Sequence, residues 1–162
     1  MGTSAFVLFK SGSSVRIPQL LSTTEQICEE NNLYYSGFDS GYGDPNETDY
    51  CEININDILW GEEGSSERDI LFGLANEPYE FRNIDFAWDS TGQEYFAAMI
   101  AIDFYNSEDL LFKFLHPFLQ RYPEAKLWID NDWFYTLEDM EKIANKQPFV
   151  QMWCFKDPKT FC

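Results

Sequence analysis

The sequence predicts one globular domain, residues 1–162, of the α/β or α+β class, with a central mixed β-sheet and about three packed helices. A length of 162 residues is common for a single domain. Hydrophobic residues make up 44% of the chain and aromatic residues 18%, which is enough to form a sizeable core. Short apolar segments alternate with segments of helical periodicity, and no repeat, low-complexity segment or linker interrupts them.

The first third of the chain predicts strand, helix, strand and strand. Residues 4–10 are short and continuously apolar, as in a buried strand. Pro18 suits the first turn of a helix that Asn31 and Asn32 end. Residues 33–38 predict a second strand, and residues 51–56 alternate apolar and polar side chains, as in a half-buried strand. Residues 39–46 are rich in turn formers and predict an exposed loop.

The middle of the chain is harder to interpret. Residues 57–80 contain a Gly- and Ser-rich loop at 61–66 and only short apolar pieces. Residues 81–88 and 94–104 predict two strands joined by a Gly-containing hairpin loop. The second of these strands is almost wholly apolar, so we expect it at the centre of the sheet.

The last third predicts helix, strand, helix and strand. Ser107 is a good N-cap, and Pro117 should kink or shorten the helix that follows. Residues 126–130 form a strand, and Thr136 with Asp139 resembles a capping box that opens a helix to about residue 146. Residues 149–155 predict a final strand. The strand–helix–strand order favours a partly parallel sheet.

Negative charge is concentrated in one part of the chain. The formal net charge is −17. Residues 25–109 carry 21 acidic and two basic side chains, whereas residues 110–162 carry seven of each. Like charges gathered by folding repel one another, and solubility does not need so uneven a distribution. An ordinary solvated surface is one interpretation; the sharper one is a negative face kept for a positive partner.

The same charge makes direct contact with nucleic acid or with anionic lipid unfavourable, because both are polyanions. No apolar run approaches the roughly 20 residues that span a membrane. The N-terminal residues carry no basic segment typical of a signal peptide, so we expect a cytoplasmic protein.

Four cysteines and one histidine, His116, offer little for metal or redox chemistry. No C-x-x-C pair is present, so a zinc site is not expected. Two disulfides are conceivable in a secreted chain, but free thiols fit a reducing compartment better. His116 has no nucleophile pattern beside it and is expected to be structural or exposed.

No cofactor, metal site or catalytic residue is predicted, and we expect a protein that is not an enzyme. Neither G-x-G-x-x-G nor the P-loop pattern is present. Asp39, Asp44, Glu47 and Asp49 do not follow calcium-loop spacing. Asp130 and Asp132 follow a strand, where they would serve a metal-dependent enzyme or a hydrolase, and this remains the alternative.

Loops that combine carboxylates with aromatic side chains are the best candidates for binding a basic protein. Tyr42 lies between two glycines in an acidic loop, and Trp133, Phe134 and Tyr135 follow Asp132. Carbohydrate stacking is the competing use of such aromatic residues. The predicted partner-binding residues are Asp39, Tyr42, Asp44, Glu47, Asp49, Glu62, Glu63 and Glu67.

In size, in the acidic segment 25–109 and in the absence of an export signal or catalytic motif, the chain resembles small acidic immunity proteins of bacterial toxin–immunity systems, including contact-dependent growth inhibition. The resemblance covers the whole chain as a profile. It implies a cytoplasmic binding inhibitor whose partner is a basic cognate toxin, most plausibly a nuclease with a cationic groove. A DNA mimic that blocks several DNA-binding proteins is a further alternative.

Overall fold

The computed structural model describes residues 3–37, 44–147 and 149–160. Seven strands form one sheet: β1 (Ala5–Lys10), β2 (Tyr34–Ser36), β3 (Tyr50–Asn56), β4 (Ile70–Ala75), β5 (Asn83–Asp85), β6 (Glu94–Ile102) and β7 (Lys126–Trp128). The α-helices are α1 (Ile17–Glu30), α2 (Ser65–Arg68), α3 (Glu108–Arg121) and α4 (Leu137–Ala144). Short 3-10 helices cover Pro45–Glu47, Trp153–Phe155 and Pro158–Thr160.

The strand order is β2-β3-β4-β6-β1-β7. Strand β5 pairs with the first half of β6, on the same side of β6 as β4. Every described pair is antiparallel. Helices α1 and α3 do connect strands of the same direction, β1 with β2 and β6 with β7. Antiparallel strands lie between the members of each pair, so the described part of the sheet contains no parallel neighbours. The prediction of a central sheet with packed helices is therefore confirmed in its α+β form, whereas the expected parallel pairing of neighbouring strands is wrong for the described part of the sheet.

The two faces of the sheet are covered differently, because side chains alternate along each strand. Val7 and Phe9 of β1 join the main core, which the three longer helices cover. Leu8 faces the opposite side, where a second apolar cluster forms to which none of the described helices contributes a residue. This second cluster consists of Leu8, Phe86, Tyr95 and Ala97, with Phe6, Ile84, Trp88, Ile100, Trp128 and Phe134 packed against it.

Two expectations about the C-terminal third differ from the structure. Of the two effects expected of Pro117, an early end of helix α3 is not found, because the helix continues to Arg121 with its apolar stripe buried along its full length. Residues 149–155 do not form a strand. Trp153 begins a 3-10 helix, its indole Nε1 donates a hydrogen bond to Glu108 O at 2.8 Å, and its ring meets Phe112. The apolar run therefore covers the start of α3 instead of joining the sheet.

Two further differences concern the middle of the chain. The segment that gave no clear sequence signal contains β4, a central strand flanked by β3 and β6. The strand predicted at 81–88 is reduced to β5, and Phe81 lies in the turn before it. No helix in the described ranges is long and apolar enough to cross a membrane.

Candidate partner-binding surface

Strand β3 separates the predicted binding residues into two groups. Asp44, Glu47 and Asp49 precede β3, and the other group follows it at Glu62, Glu63 and Glu67. A strand advances about 3.3 Å per residue, so the seven residues of β3 hold the groups about 20 Å apart. We call the end of the sheet where β3 begins the upper end and the opposite end the lower end. The predicted carboxylates therefore form two separate groups, one at each end of the sheet.

The three upper carboxylates are exposed. Asp44 caps the 3-10 helix that follows it, where its carboxylate accepts hydrogen bonds from Asn46 N at 2.9 Å and Nδ2 at 3.0 Å. Asp49 lies 4.0 Å from the Arg16 guanidinium, and both side chains are exposed, so this ion pair neutralises little charge. Glu47 points into solvent. The group therefore presents negative charge to the surroundings.

The connection between β4 and β5, residues 76–82, lies against this group. Asn76 is buried and donates from Nδ2 to Thr48 O at 2.8 Å, while its backbone N donates to Asp49 O at 3.0 Å. The Tyr79 ring stacks on Tyr50 at a centroid distance of 5.4 Å. These contacts place the segment that carries Glu77 and Glu80 next to the predicted carboxylates. We define the upper acidic surface as Asp44, Glu47, Asp49, Glu77 and Glu80 with Tyr79 and Phe81.

Phe81 is one of four residues of this surface that sequence reasoning missed. It is 95% exposed and has a backbone φ of +62°. The sequence pattern placed it at the start of a strand, because an aromatic residue before an alternating segment is typical of one. Glu77 and Glu80 were missed because only the contacts of Asn76 and Tyr79 with residues 48–50 reveal that their segment adjoins the predicted residues.

Arg82 supports the upper acidic surface from below. Its side chain is 7% exposed, and Nη1 donates to Ala97 O at 2.8 Å and to Gly73 O at 3.4 Å. The guanidinium lies under the Tyr50 and Tyr79 rings, 5.7 and 5.9 Å from their centroids. Burial lowers the pKa of Arg82 from its ordinary value, and the two phenol groups oppose that shift. Arg82, the base nearest to Phe81 in sequence, is therefore buried and hydrogen-bonded to backbone carbonyls.

The lower group is also exposed, but a base is built into its surroundings. Arg68 donates to Asp57 through Nε at 2.9 Å and Nη2 at 2.8 Å, and to Asp109 through Nη2 at 2.9 Å. These hydrogen bonds hold the pKa of Asp57 below its usual value. Burial raises the pKa of Asp69, and a hydrogen bond from Trp60 Nε1 at 3.4 Å opposes that shift.

Asp39 and Tyr42 lie outside the described residues, directly before Asp44 in the chain. Asp130 and Asp132, the residues of the enzyme alternative, are exposed after β7. Only Asp132 lines a cleft of about 470 Å³, so the two carboxylates do not converge on it. The cleft is lined by Trp88, Asp89, Ser90, Asp132, Trp133, Phe134, Thr136, Asp139, Lys142, Asp157, Pro158 and Lys159.

Three of the four carboxylates in this cleft, those of Asp89, Asp139 and Asp157, have local partners. Asp139 accepts from Thr136 N at 2.9 Å as the predicted capping box, and Asp157 accepts from Lys159 N at 2.9 Å. Asp89 accepts from Thr91 N and Oγ1 at 3.2 and 2.9 Å. Across the described chain, no three His, Cys, Asp or Glu side chains group as metal ligands.

The described cysteines belong to the core, and the half-buried histidine packs on the core residue Phe112. His116 lies 3.2 Å from Glu141 Oε2 and stacks on Phe112, so it links α3 to α4. Cys28, Cys51 and Cys154 are free and buried. Burial raises the pKa of the Cys28 and Cys154 thiols to about 12 and that of Cys51 to about 11. Thiols of this kind are unreactive at neutral pH.

Comparison with protein-family models, with curated protein sequences and with solved structures finds no match for this chain. The functional argument therefore depends on the geometry and charge of its own residues.

Proposed function

We propose that the protein is a stoichiometric binding inhibitor, an immunity protein of the cytoplasm that neutralises a basic cognate toxin. Its partner is a nuclease whose cationic groove normally holds the nucleic acid backbone. The carboxylates of the upper acidic surface pair with the Lys and Arg side chains around that groove. The protein binds the toxin and performs no chemistry on it.

The observation that carries the proposal is a group of carboxylates at one end of the sheet, of which only Asp49 has an ion-pair partner in the described chain. In the described chain, no Lys or Arg lies within ion-pair distance of Asp44, Glu47 or Glu80. Keeping like charges together destabilises the folded state, and an opposite potential on a partner removes that cost. The same potential accelerates encounter, to about 10⁸–10⁹ M⁻¹s⁻¹ at low salt.

Exposed apolar and aromatic side chains accompany the charge, as a specific interface requires. Charge alone speeds association, whereas aromatic side chains near the centre of an interface supply most of the affinity. Tyr79 and Phe81 stand among the upper carboxylates in this way. Leu59 and Tyr105 are exposed at the lower end as well, at 46% and 68%, but neither matches the 95% exposure of Phe81, so we place the main contact at the upper end and not at Glu62, Glu63 and Glu67.

The test compares two triple variants of equal charge in complex with the toxin encoded beside this protein. One carries Asp44→Asn, Glu47→Gln and Asp49→Asn; the other carries Glu62→Gln, Glu63→Gln and Glu67→Gln. We expect the upper variant to bind about tenfold more weakly at low salt, mainly through slower association. The lower variant should change the Kd by about twofold or less, because only long-range attraction is lost. Calorimetry and stopped-flow mixing measure both constants.

Three results would contradict the proposal. The first is the absence of any one-to-one complex with the adjacent toxin. The second is equal weakening by both triple variants, which would mean that overall charge acts without a defined surface. The third is tight binding to several unrelated DNA-binding proteins, which would indicate a DNA mimic.

A hydrolase is the second candidate, and the cleft beside Asp132 is the observation that favours it. Trp88 and Phe134 form an aromatic wall next to this carboxylate, an arrangement that also stacks on sugars. Glycan-array binding or hydrolysis by the wild type that Asp132→Asn abolishes, with the unfolding midpoint unchanged, would favour this candidate over the inhibitor.

A further inference from the structure

Phe81 combines two unfavourable features in one residue. Its side chain is 95% exposed, and its φ of +62° lies in the left-handed region, where a bulky side chain is strained. The turn is closed by a hydrogen bond from Arg82 N to Tyr79 O at 3.3 Å. Glycine or asparagine normally occupies a turn position of positive φ. Neither folding nor solubility accounts for a phenyl ring there.

The turn is held on both sides, so Phe81 is displayed on a firm support. On one side Asn76 Oδ1 accepts from Ile17 N at 2.7 Å and ties the connection to α1. On the other side Arg82 is buried and hydrogen-bonded to the backbone of β4 and β6. A side chain presented on a preorganised support loses little freedom on binding. Strain that the surroundings maintain in this way is typical of functional positions.

The surroundings of Phe81 define the kind of surface that it fits. Glu80 is its exposed neighbour, and Glu77 accepts hydrogen bonds from Gly12 N at 2.8 Å and from Asn83 Nδ2 at 3.0 Å. In the described chain neither carboxylate pairs with a Lys or Arg. An apolar ring surrounded by carboxylates is complementary to an apolar pocket surrounded by basic side chains.

We infer that Phe81 is the aromatic anchor of the interface and inserts into an apolar pocket, rimmed by Lys and Arg, on the basic partner. The inference rests on the proposed function and names the residue that holds the complex together. Two copies of this chain would bring two charges of −17 together, so self-association through this turn is disfavoured. The negative charge of the chain therefore favours a cationic protein as the partner that receives Phe81.

The test uses the complete chain and the purified toxin encoded beside it. Phe81→Ala and Phe81→Gly remove the ring without changing charge, and Tyr105→Ala is the matched control at the lower end. Tyr105 is 68% exposed and lies in another turn. We expect both Phe81 variants to raise the Kd about 30-fold or more through faster dissociation. Tyr105→Ala should leave the Kd within about twofold.

The dependence of the Kd on salt concentration distinguishes the contribution of the Phe81 ring from that of the carboxylates. In Phe81→Ala the slope of log Kd against log salt should equal that of the wild type, because no charge is lost. In the upper triple variant the slope should become shallower. Retained far-ultraviolet circular dichroism in both Phe81 variants, with unfolding midpoints no lower than that of the wild type, shows that the ring, and not the fold, is responsible.

Each outcome bears on the inference. A complex that forms with the same Kd in wild type and Phe81→Ala overturns the anchor and leaves the proposed function standing. Absence of any complex overturns both. Concentration-dependent dimers of the wild type that Phe81→Ala abolishes would assign the ring to a contact between copies and overturn the cationic partner.

Discussion

The upper and lower ends of the sheet are both acidic and both display an aromatic side chain in a turn, yet they are built differently. At the lower end, Tyr105 lies between Asp103 and Asn106, whose φ values are +52° and +66°. Asp and Asn tolerate that conformation, and the hydroxyl of Tyr105 suits an exposed position. At the upper end Phe81 itself takes the positive φ and has no polar atom. Only the upper turn lacks an explanation within the fold.

Arg68 at the lower end and Arg82 at the upper end differ in the groups that they contact. Arg68 at the lower end is shared between the carboxylates of Asp57 and Asp109. Arg82 at the upper end is buried on backbone carbonyls and aromatic rings, so it neutralises no carboxylate within the described residues. Asp57 and Asp109 at the lower end therefore stabilise the fold, whereas Asp44, Glu47 and Glu80 at the upper end have no ion pair in the described chain and remain available to a partner.

The largest effect should come from removing the support of the upper end. Arg82→Met keeps most of the side-chain length but removes the hydrogen bonds to Ala97 and Gly73. We expect it to lower the free energy of unfolding by about 3 kcal/mol, because the buried carbonyl interactions and the ring contacts are lost together. Urea unfolding measures the change. Arg16→Met, at an exposed arginine of the same end, is the control and should cost less than about 0.5 kcal/mol; an equal loss in both would show that Arg82 is not a structural support.

An intermediate effect is expected at the lower end from Arg68→Gln. The free energy of unfolding at pH 7 should fall by about 1–2 kcal/mol, because Asp57 loses a charged hydrogen-bond donor. The pKa of Asp57 is depressed in the folded state, so its stabilisation is present above the unfolded value of 3.8 and is lost as the pH falls through the folded one. The difference between wild type and variant should therefore shrink below about pH 4.

Denaturant titrations between pH 2 and pH 7 follow this difference. Glu67→Gln, on the same short helix but without an ion pair in the described chain, is the control and should give a nearly constant difference. A pH-independent loss in Arg68→Gln would mean that packing, and not the ion pair, accounts for the effect.

The smallest effect distinguishes the two turns by their backbone. Phe81→Gly should raise the free energy of unfolding by about 0.5–1 kcal/mol, since relief of left-handed strain exceeds the added entropy of glycine in the unfolded chain. Asn106→Gly should change it by a few tenths at most, because Asn already tolerates positive φ. Thermal and urea unfolding of both variants check this. A destabilised Phe81→Gly would show that the ring contributes to folding.

Local patterns predicted several elements well. The spacing of Thr136 and Asp139 predicted the capping box that opens α4, and apolar periodicity predicted α1 and α3. The apolar strand at 94–104 does lie centrally as β6, between β1 and β4. Such elements are recognisable because side chains a few residues apart decide them.

Other elements depend on contacts between distant residues. The apolar run at 149–155 has the composition of a strand, but its burial comes from packing on α3. Strand β4 is short, contains Gly73 and follows a loop-rich segment, so only its pairing with β3 and β6 identifies it. Gly73 lies where a Cβ would meet Tyr50 Oη at 2.9 Å, a constraint invisible in sequence.

The amino-acid order alone is enough to establish the amount of negative charge, its concentration in residues 25–109 and the helices that carry apolar stripes, because these follow from composition and short-range spacing. The division of that charge between two ends of a sheet arises in the folded chain, because the β3–β4 hairpin carries neighbouring segments about 20 Å apart. Folding also buries Arg82 and leaves Phe81 outside, although the two are adjacent, because long-range packing and hydrogen bonding set the environment of each side chain.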